Sequence, residues 1–178
     1  MPGAAPPAAR SVHGIVLSFV LYLAIAVLAY PALRGELFPA VRALESATAA
    51  LAAGVLGLFG SDVSQGERVL VFEGHTALIV EECTGVYEIL IFCAAVLAFP
   101  TSSRKRLAGV ALGIPLIYAF NVIRIATLLA VGRYHPATLD FLHLYFWQVT
   151  LILMITGTWL LWIALVVRRG QAALADSR

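Results

Sequence analysis

Long apolar runs constrain this chain more than any other feature of its sequence. They cover residues 14–32, 85–99, 107–131 and 143–167, and a helix needs about 20 apolar residues to cross the hydrocarbon core of a bilayer. Hydrophobic residues make up 61% of the chain and charged residues only 12%, which is too little polar surface to cover a soluble globule. We therefore expect an all-α polytopic membrane protein with about four transmembrane helices.

Residues 39–60 form a further apolar segment, which has two interpretations. Arg42 and Glu45 lie three residues apart, a spacing that lets them pair on one face of a helix. Together with Ser46 and Thr48 they make the first half of the segment polar. This pattern favours an amphipathic helix at the outer surface of the membrane, and the alternative is a fifth spanning helix.

The segment before the second apolar run has the pattern of a small extracytoplasmic β-hairpin. Val69–Phe72 and residues 75–80 have the composition of short strands, and Glu73 with Gly74 separates them as a turn. Such a hairpin would lead directly into Cys83 at the start of the second run.

Basic residues set the expected orientation, because they concentrate on the cytoplasmic side of a membrane. They predict four spans with both termini inside, in a multi-pass protein of the plasma membrane. The domain boundaries are then a disordered cytoplasmic N-terminus over residues 1–13, one membrane-embedded domain over 14–167 and a cytoplasmic tail over 168–178. The residues placed inside are Arg10, Arg104, Lys105, Arg106, Arg168, Arg169 and Arg178.

Arg124, inside the third apolar run, is the first candidate for a functional residue. A cation within the hydrocarbon is costly unless it faces a polar interior, so an intramembrane arginine indicates a site. Asn121 lies one helical turn away on the same face, where it could bond Arg124 or a substrate carbonyl. Glu88, within the second run, is the expected partner of Arg124. The alternative for Arg124 is snorkelling of its side chain to the interface.

Cys83 is the candidate nucleophile. We expect it at a helix N-terminus, where the positive end of the helix dipole stabilises a thiolate. Cys93 lies ten residues further along the same run, too far along a helix for a disulfide and deep among apolar neighbours, so we expect it to be structural.

His143, at the start of the fourth run, is the candidate general base, although an interfacial anchor is the plainer interpretation. The four-span topology brings Cys83, Arg124 and His143 to the same side of the membrane. The other histidines are less suitable: His13 lies on the cytoplasmic side, His75 falls in the predicted hairpin turn, and His135 lies in the predicted polar loop over residues 132–142.

The sequence contains no motif for a metal, a cofactor or a nucleic acid. No HExxH or clustered Cys and His spacing occurs, and no glycine-rich phosphate loop is present. The basic clusters are short and are explained by membrane orientation. We expect no cofactor, no metal and no nucleic-acid partner.

An ordered set of short motifs resembles the exosortase/archaeosortase family of membrane transpeptidases. The set is Glu82-Cys83-Thr84-Gly85, then Asn121-Val122-Ile123-Arg124, then a histidine at the head of the next span, and it covers roughly residues 60–167. The family commonly has six to eight spans, so the resemblance implies a compact member or a divergent one that has lost transpeptidation. Some relatives carry another basic residue in the third position, which leaves Arg133 and His135 as alternatives to His143.

The resemblance implies a sortase-like cysteine transpeptidase acting at the outer face of the cytoplasmic membrane. Its partners would be secreted or surface proteins whose C-terminal sorting tail has a short motif, a membrane helix and a basic end. By this likeness Cys83 is the nucleophile, Arg124 the group that orients the substrate or stabilises the oxyanion, and His143 the base. The cleaved protein would pass to an acceptor on the cell envelope.

A non-enzymatic membrane assembly or transport subunit is the alternative from another class. It would explain the spans and would use Arg124 as a site for a charged substrate. It gives no reason for Cys83 and His143 to share a side with Arg124. A thiol oxidoreductase fits less well, because Cys93 is out of reach of Cys83.

Overall fold

The computed structural model describes residues 11–60 and 62–168, apart from the side chains of Arg34 and Arg168. The predicted disordered N-terminus and cytoplasmic tail therefore lie almost entirely outside the described residues. The elements are the helices α1 (Val12–Gly57), α2 (Val86–Ala98), α3 (Ser103–Tyr134), α4 (Pro136–Phe141) and α5 (Trp147–Trp162), the strands β1 (Val63–Gly66), β2 (Val69–Phe72) and β3 (His75–Leu78), a 3₁₀ turn (Glu81–Cys83), and π-helical stretches over Leu142–Phe146 and Ile163–Arg168.

The first helix is continuous over 46 residues, although it contains Pro31 and Pro39. At 1.5 Å per residue it is about 69 Å long, more than twice the hydrocarbon thickness of a bilayer. Val12–Leu33 and Gly35–Gly57 are each long and apolar enough to span, but no turn separates them. They cannot both cross the same bilayer, so residues 39–60 are not an independent fifth span.

The second half of α1 is amphipathic, as predicted, but it has no separate start at Pro39. Its buried positions are three, four or seven residues apart, which places them on one helical face. This face packs against the sheet and α3. Its buried residues are Glu45, Thr48, Ala49, Ala52 and Leu56.

A three-stranded antiparallel sheet in the order β1-β2-β3 replaces the predicted two-stranded hairpin. The β2–β3 turn is the predicted one: Glu73 and Gly74 both have positive φ, +50° and +78°, as the tight two-residue hairpin turn requires. The strand β1 was missed because Val63-Ser64-Gln65-Gly66 has little strand composition. Its register against β2 comes from pairing Val63 with Phe72 and Gly66 with Val69.

Within the part of the chain that the structure describes, four helical segments are long and apolar enough to cross a membrane: Val12–Leu33, Gly35–Gly57, Ser103–Tyr134 and Pro136–Val167. They confirm the all-α polytopic class. However, α2 has only 13 residues, about 20 Å, and is shorter than a typical span. The predicted loop over residues 132–142 was also wrong, because α3 runs to Tyr134 and α4 begins at Pro136.

Small residues let the inner helices approach closely, as is common in membrane proteins. A Cβ atom added to Gly113 of α3 would lie 2.2 Å from the ring of Phe92 in α2. A Cβ atom on Gly109 would lie 2.7 Å from Nε1 of Trp162 in α5. These contacts join α2, α3 and α5 into one apolar cluster.

The basic cluster that follows α2 holds several helix ends together. Lys105 donates from Nζ to the Val167 carbonyl at 3.1 Å. Arg106 donates from Nη2 to the Phe99 carbonyl at 3.0 Å and from Nε at 3.3 Å. Three helix ends therefore meet at one basic end of the molecule, opposite the sheet. They are the C-terminal end of α2, the start of α3 and the π-helical stretch that follows α5.

Candidate active site

One pocket brings together the three side chains that the sequence singled out. Cys83, Arg124 and His143 all line a cavity of about 210 Å³ between β3, α3 and α4. Each comes from a different part of the chain, so the pocket is a product of the tertiary structure. The remaining lining consists of His75, Ala77, Leu78, Ile79, Ile125, Leu128, Leu129, Leu139 and Asp140.

Cys83 is half-buried and closes the 3₁₀ turn that follows β3. It lies three residues before the first residue of α2 rather than in that helix. Its own N–H donates to the Val80 carbonyl at 2.8 Å, and Thr84 donates from Oγ1 to the Glu81 carbonyl at 2.7 Å. These bonds hold a short rigid turn that presents the thiol.

Gly85 and Asn121 fix this turn against α3. Gly85 has φ +78° at the N-cap of α2, a conformation that strains other residues. A Cβ atom there would also lie 3.3 Å from Cβ of Asn121. Asn121 is fully buried and donates from Nδ2 to the Cys83 carbonyl. The predicted substrate-binding amide thus also positions the backbone of the candidate nucleophile.

Arg124 is buried in the pocket wall, with 8% of its surface exposed. Within the described residues its side chain makes no ion pair or hydrogen bond, and its buried Nε has no partner. The predicted pair with Glu88 was wrong, since the Oε2 atom of Glu88 is itself buried without a partner. Burying an unpaired guanidinium lowers the stability of the fold. It also leaves N–H donors free to bind an anion or a carbonyl oxygen of a ligand.

His143 lies in the π-helical stretch Leu142–Phe146 and is exposed. It is in the second turn of the helical segment that begins at Pro136, rather than at its head. Single-turn π segments inside α-helices are frequent at functional sites because they redirect side chains. Asp140, three residues earlier, lines the same pocket.

His75 also lines the pocket, although the sequence favoured His143 over it as a functional residue. The structure places it at the first position of β3 rather than in the turn. A Cβ atom on Gly132 of α3 would lie 3.0 Å from Nε2 of His75, so this glycine leaves room for the ring. The two-residue turn at Glu73 and Gly74 could have predicted this position. Such a turn pairs the residues on either side of it, which are Phe72 and His75.

The two alternatives for the third basic residue do not line the pocket. Arg133 donates from Nε to the Glu73 carbonyl at 3.0 Å and lies over the Tyr134 ring, so it ties the β2–β3 turn to α3. The backbone carbonyl of His135 accepts from Oγ1 of Thr138 at 2.8 Å. Cys93 packs against the inner apolar cluster, away from the pocket.

A second, charged pocket of about 370 Å³ lies on the other side of the 3₁₀ turn. Glu45, buried in α1, pairs with Arg68 at 3.2 Å and with Arg42 at 3.7 Å, so the predicted Arg42–Glu45 pair is present. Glu81 and Glu82 line the same pocket. Among the described residues, no group of three or more His, Cys, Asp or Glu side chains could hold a metal ion.

A comparison with protein families decides the identity of this architecture. The family model described as transmembrane exosortase matches residues 11–163. The chain belongs to the transmembrane exosortase family. This confirms the resemblance seen in the short motifs. The exosortase match spans α1, the sheet and the three candidate residues Cys83, Arg124 and His143. Searches of curated proteins and of solved structures found no match. Membership in the exosortase family supports a membrane transpeptidase-type role.

Proposed function

We propose that this exosortase is a cysteine transpeptidase that cleaves the C-terminal sorting tail of secreted or surface proteins. The observation that carries the proposal is the pocket in which Cys83 lies with the unpaired, buried Arg124 and with His143. A thiol, a base and a preorganised cation are the groups that acyl transfer needs. No described contact favours the assembly or transport alternative.

The first half-reaction cleaves the peptide. His143 takes the thiol proton, and Sγ of Cys83 attacks the scissile carbonyl carbon. Arg124 stabilises the oxyanion that develops on the carbonyl oxygen. The C–N bond then breaks, His143 gives its proton to the leaving amine of the tail, and a thioester remains on Cys83.

The second half-reaction transfers the protein to the envelope. A nucleophilic acceptor, such as an amine, attacks the thioester carbon and gives its proton to His143. The C–S bond breaks, and the thiolate regains that proton. The products are the acylated acceptor and the free enzyme, so no oxidant, reductant or cofactor is required.

The geometry also supports a site facing the extracytoplasmic side. The basic end, with Arg104 to Arg106, is the end that the positive-inside rule places in the cytoplasm. The sheet and the pocket lie at the opposite end. Because α2 is only about 20 Å long, Cys83 lies below the outer surface of a bilayer about 30 Å thick. A sorting tail presents the junction between its motif and its membrane helix at this depth.

The test uses cells that lack this gene, complemented with wild type or variants. Mass spectrometry of membrane and secreted proteins identifies those that keep an intact tail in the deletion strain and lose it with wild type. We expect Cys83→Ala to restore no processing and Cys93→Ala to restore it fully. Hydroxylamine should release an acyl hydroxamate from wild type and from the Cys93→Ala enzyme but not from Cys83→Ala. Full processing by Cys83→Ala would overturn the proposal and favour a non-enzymatic subunit.

A further inference from the structure

The strand β3 is an edge of the sheet, and its free edge borders the pocket. In the order β1-β2-β3, only β2 pairs with it among the described residues. The cavity is lined by His75, Ala77, Leu78 and Ile79 along this strand. The helix α3 forms the floor of the groove through Ile125, Leu128 and Leu129, and α4 forms the far wall through Leu139 and Asp140.

The register shows which backbone groups of β3 are free. Hydrogen-bonded and non-hydrogen-bonded pairs alternate along an antiparallel ladder. Ile79 donates its N–H to the Arg68 carbonyl at 2.8 Å, so the hydrogen-bonded positions before it are Ala77 and His75. The N–H and C=O groups of Thr76 and Leu78 therefore point away from β2. Among the described residues, none bonds to them.

The free edge leads directly to the candidate nucleophile. Leu78 is followed by Ile79 and Val80, and the 3₁₀ turn then presents Cys83. A main chain that paired with Thr76 and Leu78 would run along the groove floor toward the thiol and the unpaired Arg124. Free N–H and C=O groups at every second residue are complementary to an extended polypeptide, which is how exposed sheet edges recognise peptides.

We propose that the sorting motif of the substrate binds as a fourth strand on the edge of β3. This inference rests on the proposed transpeptidase function and adds how the substrate is held. Main-chain hydrogen bonds to Thr76 and Leu78 align the motif, and the scissile carbonyl reaches Cys83 and Arg124. The pocket is small, at about 210 Å³, so only a few residues of the substrate enter it.

The opposite edge of the sheet offers a matched control. The same alternation leaves Gln65 of β1 with its N–H pointing away from β2, since Glu73 donates to the Asp62 carbonyl at 3.0 Å and fixes the register there. Gln65 is exposed and does not line the pocket. It bonds only within its own turn, from Nε2 to the Glu67 carbonyl.

Proline tests the edge, because it removes an N–H and is tolerated on an edge strand where that N–H faces outward. Tail processing is measured in the complemented cells, on the proteins that wild type processes. We expect Leu78→Pro to lower the rate roughly tenfold or more. Leu78→Ala, which keeps the N–H, should lose less activity than Leu78→Pro, and Gln65→Pro should stay within about twofold of wild type. An equal rate for Leu78→Pro and wild type, at equal protein level, would overturn the inference but leave the transpeptidase intact.

A second measurement needs no proline. An intact protein that wild type is known to process is added to the Cys83→Ala enzyme. Hydrogen exchange of the enzyme's backbone amides is then followed residue by residue. We expect slower exchange at Thr76 and Leu78 and no change at Val63 and Gln65. Bound substrate without protection at Thr76 and Leu78 would overturn strand addition even if Leu78→Pro fails to accumulate. If wild type processes no tail at all, both proposals fail together.

Discussion

At the scale of single residues, the buried charge of Arg124 contributes no ion pair or hydrogen bond to the fold among the described residues. Arg124 is buried and has no partner among the described residues, whereas Arg68 and Arg42 share Glu45. Natural proteins retain such costly groups at functional sites, where stability and activity oppose each other. Asn121 differs, because its amide serves the backbone of Cys83.

Replacing Arg124 should therefore change stability and activity in opposite directions. Arg124→Met removes an unpaired buried charge, so we expect the melting temperature in detergent to rise or stay unchanged. Tail processing should fall by about 10²-fold or more, as loss of an oxyanion donor does. Thermal unfolding and the cell-based processing assay measure the two effects. A lowered melting temperature would indicate that Arg124 is structural instead.

The two pocket histidines provide an internal comparison. His143→Ala should lower processing by about 10²-fold or more, because the general base is lost. His75→Ala should cost less than about tenfold, because it removes only part of the wall. Both variants are assayed at equal protein level with the same substrates. The reverse ranking would assign the base to His75 on β3.

At the scale of elements, close packing of α2 on α3 sets where Cys83 lies. Gly113 leaves no room for a side chain beneath Phe92. The short α2 then starts at a fixed level beside Asn121, and Gly85 allows the final approach. The apolar contact between Gly113 and Phe92 thus helps to position Cys83, which does not take part in that contact.

Gly113→Ala should destabilise the fold by overpacking, by about 1–3 kcal/mol. Phe92→Leu in the same chain should recover part of this loss, since it removes the ring that the new methyl group meets. Gly157→Ala in α5 is the matched control, because a Cβ atom there meets nothing within 4 Å. Thermal unfolding in detergent measures all four proteins. Equal melting temperatures for Gly113→Ala and Gly157→Ala would contradict the packing argument.

At the scale of the whole molecule, the two ends differ in chemistry. One end gathers Lys105 and Arg106 on helix carbonyls, and the other holds the sheet and the pocket. This asymmetry sets the orientation of the protein in a bilayer, because basic ends of membrane proteins remain on the cytoplasmic side. The orientation that we propose for the site is therefore a property of the complete fold.

Thiol labelling checks this orientation. Single cysteines replace Ser64 in β1 or Ser102 before α3, in a chain that also carries Cys83→Ala and Cys93→Ala. An impermeant reagent added to intact cells should label the cysteine at position 64 and not the one at 102. Labelling of position 64 only after the cells are opened would reverse the proposed topology.

Much of the fold and of the site could be predicted from local sequence. Apolar run length determines the membrane class, because the bilayer thickness sets the length of a span. Alternating spans were enough to place Cys83, Arg124 and His143 on one side. The turn at Glu73 and Gly74 was readable because positive φ at two successive residues restricts the sequence.

Only the tertiary structure decided the rest, because it depends on contacts between distant segments. The helix α1 continues through Pro31 and Pro39, where a local interpretation would place a boundary, and its second half packs on the sheet and α3. The sequence alone paired Glu88 with Arg124, but in the fold neither has an ionic partner among the described residues. The strand β3 brings His75 and a free edge to the pocket. Sheet register and helix packing are non-local, and they turned three separate motifs into one cavity.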